Sequence, residues 1–167
     1  SSSYRQRFGG LVRAYSLIGF APERDFAYIE INRNLRARRP DLITEISSGL
    51  LSAGGSVDRD CTSELLTVNR EFTISIVLAR CLRTPGNAYR WHIRFDTSHR
   101  PDITVAIRLS EDQETILDYY LFPRIDLPPN RVRLAEENNE FTLDAYRFDT
   151  LEALYELAER VPFQLAA

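Results

Sequence analysis

At Ser56 the spacing of apolar residues changes, and this change limits the chain to folds in which a helical segment leads into a sheet. Before Ser56, apolar side chains recur every three or four residues. Phe8, Leu11, Val12, Tyr15 and Ile18 predict a first helix, ended by Gly19 and Pro22. Phe26, Tyr28, Ile29, Ile31 and Leu35 predict a second over about 25–38, stopped by Pro40, although Phe26 to Ile31 also fits a strand. Asp41 and Glu45, four residues apart, have approximately the spacing of a capping box for a third helix, which Gly54 and Gly55 terminate.

Beyond Ser56 the period is two. Strands are expected at 56–58, 64–69, 72–82, 88–96, 102–109 and 118–122. Asn69-Arg70 and Thr84-Pro85-Gly86-Asn87 mark hairpin turns, so neighbouring strands are expected to be antiparallel. Pro128-Pro129 is read as opening a helix through Val132, Leu134 and Ala135. Asp149 and Glu152 then cap a last helix, buried through Leu151, Leu154, Tyr155 and Ala158, with Glu152, Glu156 and Glu159 on its solvated face. The expected architecture is α+β in a single domain, 1–167. Helices over 6–53 precede a mainly antiparallel sheet of five or six strands over 56–123, and C-terminal helices follow over 128–161.

A chain of 167 residues, 44% hydrophobic and 27% charged, can bury a core without disulfides or metal staples. No apolar run approaches the roughly 18 residues that span a bilayer, and the N-terminus has no signal-peptide core, so a cytoplasmic protein is expected. All 21 basic residues are arginine. Without lysine, a Schiff base, a lysine general base and a P-loop lysine are excluded, because arginine stays protonated. The absence of methionine leads to the expectation of a processed product or a piece of a longer polypeptide. Charge is divided along the chain: residues 1–110 carry 16 Arg against 11 acids, and residues 111–167 carry 5 Arg against 13.

Alternation assigns faces within the strands. Phe72, Ile74, Ile76 and Leu78 point one way, and Val77 and Ala79 make the other side apolar too, which predicts a central strand. Tyr89, Trp91, Ile93 and Phe95 alternate with Arg90, His92, Arg94 and Asp96, and Ile103, Val105, Ile107 and Leu109 alternate with Thr104, Ala106 and Arg108. Arg90, His92, Arg94 and Arg108 are therefore expected on one cationic face. That face either binds phosphate or pairs with carboxylates of the acidic C-terminal part. Arg33, Arg36, Arg38 and Arg39 cluster at the expected end of the second helix, where they complement the helix dipole or, for Arg36 and Arg39, contact phosphates.

A helix followed by Ser63-Glu64-Leu65-Leu66-Thr67-Val68-Asn69, a tight turn and the long strand Glu71 to Arg80 resembles the core of restriction-endonuclease-like (PD-(D/E)XK) nucleases. Asp118-Tyr119-Tyr120-Leu121-Phe122-Pro123 is similar to a strand that closes such domains, and the likeness covers residues 41–124. More loosely, the chain resembles uncharacterised domains that accompany bacterial site-specific recombinases and mobile elements. The nuclease resemblance implies acids that hold Mg²⁺ and a lysine that activates water. Glu45 matches the acid of the first helix and Glu64 that of the second strand. Ser75-Ile76-Val77 stands where the acid-x-Lys pair belongs, Arg80 is the nearest cation, and no such pair follows Pro101-Asp102. The resemblance thus implies a degenerate motif.

Other groupings are Asp58, Asp60, Glu64 and Glu71 for a divalent ion, and Cys61, Cys81, His92 and His99 for zinc. The spacing of the second set matches no zinc pattern, so no metal is expected and the cysteines are expected to be free thiols. The expected function is a non-catalytic, DNA-associated or assembly module of a larger DNA-processing protein of the recombination or mobile-element kind, without a cofactor. The alternatives are a Mg²⁺-dependent nuclease using Glu45 and Glu64, and a protein-protein interaction domain that uses the acidic C-terminal helix.

Overall fold

The computed structural model describes residues 6–9, 13–14, 17–19, 27–126 and 130–160. The chain forms two compact units, residues 1–38 and 39–167, and helix α1 (Ala27–Ser52) runs through the boundary. The helix expected over 8–18 lies largely outside the described residues.

Pro40 does not end a helix. It sits inside α1, which merges the second and third expected helices and makes Asp41 an exposed mid-helix residue instead of a cap. An interior proline costs about 3 kcal/mol through its missing N–H and its ring clash. Burial of Leu42, Ile43, Ile46 and Leu50 outweighs that, at about 1.5–3 kcal/mol for each side chain. Arg39 adds an anchor next to the proline, its Nε donating to the Ile76 carbonyl at 3.2 Å. The expected C-terminus holds: Gly54 takes φ +89°, and the N–H groups of Gly54 and Gly55 return to the carbonyls of Leu51 and Leu50.

Nine strands follow among the described residues: β1 (Val57–Arg59), β2 (Leu66–Val68), β3 (Phe72–Ala79), β4 (Cys81–Arg83), β5 (Tyr89–Arg94), β6 (Ile103–Leu109), β7 (Ile116–Pro123), β8 (Arg131–Ala135) and β9 (Arg147–Phe148). The α+β class is as expected. Six strands form one sheet in the order β1-β2-β3-β6-β7-β9, antiparallel except for the parallel pair β3 and β6. A second, antiparallel sheet has the order β4-β5-β8. Asn69 and Arg70, at φ 56° and 60°, make the β2–β3 hairpin turn, and Glu71 N–H donates to the Val68 carbonyl.

The sequence from Phe72 to Leu82 is not one strand. The chain leaves the main sheet at Arg80, and the hairpin through Thr84–Asn87 carries β4 into β5, so both belong to the second sheet. The next strand beside β3 is β6, reached by a crossover and hence parallel. Residues 131–135 form strand β8, where a helix was expected. Val132 and Leu134 are buried while Arg131 and Arg133 are exposed, an alternation that a helix cannot produce. Pro128 and Pro129 lie outside the described residues. The last helices, α2 (Phe141–Asp144) and α3 (Glu152–Glu156), are short. The expected capping box is absent at α3, where Thr150 Oγ1, not Asp149, accepts from Glu152 N–H at 3.4 Å.

Register places Ile74 and Ile76 on the same face as Val105, Ile107 and Leu121, and all five are buried. The opposite face, with Val77, Ala79, Ala106, Tyr120 and Phe122, packs on Cys81, Trp91, Ile93, Val132 and Leu134 of the second sheet. β3 is thus buried on both sides, as its pattern predicts. The second sheet covers the main sheet with one face and turns the other to solvent.

Candidate nucleic-acid interface

The outward face of the second sheet is built in cross-strand rows. Residues directly opposite one another project from the same side. His92 faces Arg133, Arg94 faces Arg131, and Arg90 lies between Leu82 and Ala135. Continuing the β4–β5 register by one residue sets Arg80 beside His92. Strands β4, β5 and β8 contain no Asp or Glu. His92, Arg94, Arg131 and Arg133 are exposed, and Arg80 and Arg90 are half-buried. None of the arginines at 80, 90, 94, 131 and 133 forms an ion pair with another described residue.

Alternate residues along a strand stand about 6.8 Å apart and adjacent strands about 4.8 Å apart, so the rows form a closely spaced cationic lattice. Its spacing along the strand is on the order of that between successive phosphates of a nucleic-acid strand. Partial desolvation of the ring first, then the charges of Arg133, Arg131, Arg80 and Arg94, hold the His92 imidazole below its ordinary pKa.

Arg108 does not share this face. It belongs to β6 in the main sheet and is fully buried between the two sheets. Its Nε and Nη2 donate to both carboxylate oxygens of Asp118 at 2.6 and 2.5 Å, and Nη1 donates to the Ala135 carbonyl at 2.6 Å. The guanidinium carbon lies 4.5 Å from the Trp91 ring centroid and 5.2 Å from that of Tyr120. Asp118 also accepts from Arg147 Nε at 2.7 Å. Of the two readings of the arginines, Arg108 follows internal pairing with the acidic C-terminal part. Arg80, Arg131 and Arg133 take its place on the open face, and the signal for two of them was the alternation Arg131-Val132-Arg133-Leu134.

Because α1 continues past Pro40, Arg36 and Arg39 lie in mid-helix, not at a C-terminus. Arg36 is exposed, whereas Arg39 is bonded to Glu64 through Nη1 and to the Ile76 carbonyl through Nε. Glu64 precedes β2 in a turn with φ 59° and is held between Arg39 and, at 3.3 Å, Arg59. Glu45 is exposed on α1 near Tyr155, whose hydroxyl pKa rises through burial and then through the Glu45 charge. Asp102 accepts from Thr73 N–H and Oγ1 at 2.9 and 2.8 Å and pairs with Arg124 at 3.0 Å.

Asp60 caps its own turn through Thr62 N–H and Ser63 Oγ, and Glu71 pairs with Arg160. No three His, Cys, Asp or Glu side chains among the described residues form a metal-binding group. Cys61 and Cys81 are free thiols, one exposed and one buried. Among the described residues no helix is long and apolar enough to cross a membrane.

No protein-family model matches the sequence, and no curated protein matches it. Among solved structures, a bacterial homing endonuclease aligns at 16% identity over 71% of this chain and 89% of its own, with a TM-score of 0.41. That likeness assigns no role to any residue of this chain.

Proposed function

We propose that this chain is a non-catalytic DNA-associated module that binds the phosphate backbone through the outer face of its second sheet. One observation carries the reading: Arg80, Arg90, Arg94, Arg131 and Arg133 share an acid-free face and have no ion-pair partner among the described residues. Arg108, by contrast, is matched with the Asp118 carboxylate inside the protein. Phosphate contacts of this kind position a duplex without reading its sequence. The engagement of Glu64 by Arg39 and Arg59 supports the non-catalytic part, since a metal would have to displace two guanidinium groups from that carboxylate.

Five phosphate contacts give a slope of log affinity on log salt of about −4.5. The test is binding of a mixed-sequence DNA duplex at several salt concentrations by the native chain and by Arg94→Glu/Arg133→Glu. The double variant should bind far more weakly, with the slope shallower by about 2. Unchanged affinity and slope would overturn the interface. Mg²⁺-dependent nicking that disappears in Glu64→Ala would overturn the non-catalytic reading.

A further inference from the structure

Just past the last cross-strand pair of β5 and β8 lies a cavity of about 440 Å³. Its walls include Phe95, Phe122 and Pro123, with the two phenylalanine rings edge to face at 5.8 Å between centroids. Its lining also carries Asp96, Arg100 and Arg124, and Asp96 is engaged by His99 at 2.8 Å. Arg124 is fixed there by Asp102 at 3.0 Å and by the Arg100 carbonyl at 3.0 Å, whereas the Arg100 side chain is exposed. A volume of this size is in the range of small-molecule sites, and aromatic and proline walls with the Arg100 guanidinium beside them fit a flat aromatic ring.

The cavity continues the phosphate lattice. Arg94 and Arg131 form the last cross-strand pair of the β5–β8 register, and the next residues, Phe95 and Asn130, both line the cavity. Phe95 N–H donates to the Asn130 carbonyl at 3.2 Å, which ties the two walls together. Because successive side chains alternate, Arg94 projects to the open face and Phe95 turns inward to Phe122. Arg94 and Arg131 thus stand one residue along their strands from the cavity lining.

We propose that this cavity receives one unpaired nucleobase of the bound DNA, stacked on Phe95, while the arginine rows hold the adjoining phosphates. This rests on the arginine-face reading. Bases stack on aromatic side chains irrespective of sequence, and a base already unpaired pays little to leave its helix. The site would select bulges, ends and single strands over continuous duplex.

The experiment compares a duplex containing one bulged 2-aminopurine with the same duplex fully paired, at fixed salt. Bulged DNA should bind about tenfold more tightly, and 2-aminopurine emission should fall as the base stacks. Phe95→Ala should reduce the bulged affinity to that of paired DNA and leave paired DNA unchanged. Thr97→Trp, at an exposed wall position, should do the same by filling the cavity, and it spares the core if Phe95→Ala fails to fold. Equal binding of the two DNAs by the native chain, or a preference that survives Thr97→Trp, overturns the cavity and leaves the arginine face standing. Binding of neither DNA overturns the arginine face. In that case deoxyadenosine monophosphate is titrated alone: shifts of the Phe95 and Asn130 amide resonances sustain the cavity, and their absence overturns it.

Discussion

Arg108 and Asp118 face each other across the β6–β7 register, and neither exposes any of its side chain to solvent. The pair sits between the sheets and bonds to β8 through the Ala135 carbonyl, so it joins the main sheet to the second one. Breaking a buried pair on one side leaves a charge stranded, which costs about 3–5 kcal/mol. Asp118→Asn should lose stability of that order in urea melts. Arg108→Met/Asp118→Leu should lose less than Asp118→Asn, because the buried guanidinium leaves with its carboxylate and only the partly exposed Arg147 loses a partner. DNA affinity of the folded fraction should be unchanged in each, since Arg108 lies under the arginine face and not on it.

Tyr155 of α3 occupies the space that a side chain at Gly49 of α1 would need, for a Cβ there would overlap the phenol ring. Glycine to alanine within a helix is ordinarily favourable by about 1 kcal/mol. Here the sign should reverse. Gly49→Ala should lower the melting temperature, and Tyr155→Ala in the same chain should return part of the loss, because the cavity it opens accepts the new methyl group. Gly49→Ala that melts higher than the native chain would show that Tyr155 does not press on α1.

Strand faces were legible in this sequence, and strand partners were not. The alternation from Tyr89 to Arg94 fixes which side chains are buried whichever sheet the strand joins, and the observed burial of Trp91 and Ile93 agrees with it. Nothing local distinguishes a strand that continues in a sheet from one that leaves it at Arg80, so alternation alone groups Arg108 with Arg90, His92 and Arg94, which belong to the other sheet. Arg131-Val132-Arg133-Leu134 has period two, but two prolines upstream suggest a helix start, and the two arginines that complete the face were missed. Pro40 misled for a different reason. A proline penalty of a few kcal/mol is visible locally, whereas the burial that offsets it depends on residues far along the chain.

The main sheet rests on β3, which lies between β2 and β6 with both faces covered. Ile76 is 2% exposed. Its truncation to alanine should cost about 2–5 kcal/mol through lost transfer energy and the cavity left behind. Val77→Ala, at a half-buried position facing the second sheet, should cost less but measurably. Glu156→Ala on the exposed side of α3 should be silent. Denaturant melts of the three variants check the order, and a silent Ile76→Ala would contradict a central β3.

His92 gives the arginine face a pH dependence whose sign follows from its surroundings. Its folded pKa lies below 6.5 because partial desolvation, then Arg133 and Arg131 of β8, Arg80 of the β3–β4 link and Arg94 of its own strand, all oppose a further positive charge. As pH falls through about 6.5 the unfolded chain takes up this proton first, so stability declines until the folded pKa is passed and is then level. His92→Gln should remove that decline. Bound phosphate inverts the local field, raises the imidazole pKa and draws in a proton, so DNA affinity should rise between pH 7.5 and 5.5 by at most about tenfold per pH unit, the limit for one proton. The other histidine, His99, is paired with Asp96 at 2.8 Å, and His99→Gln is the control variant. Binding curves across that pH range decide the matter: a profile that is as steep in His92→Gln as in the native chain would place no phosphate beside His92.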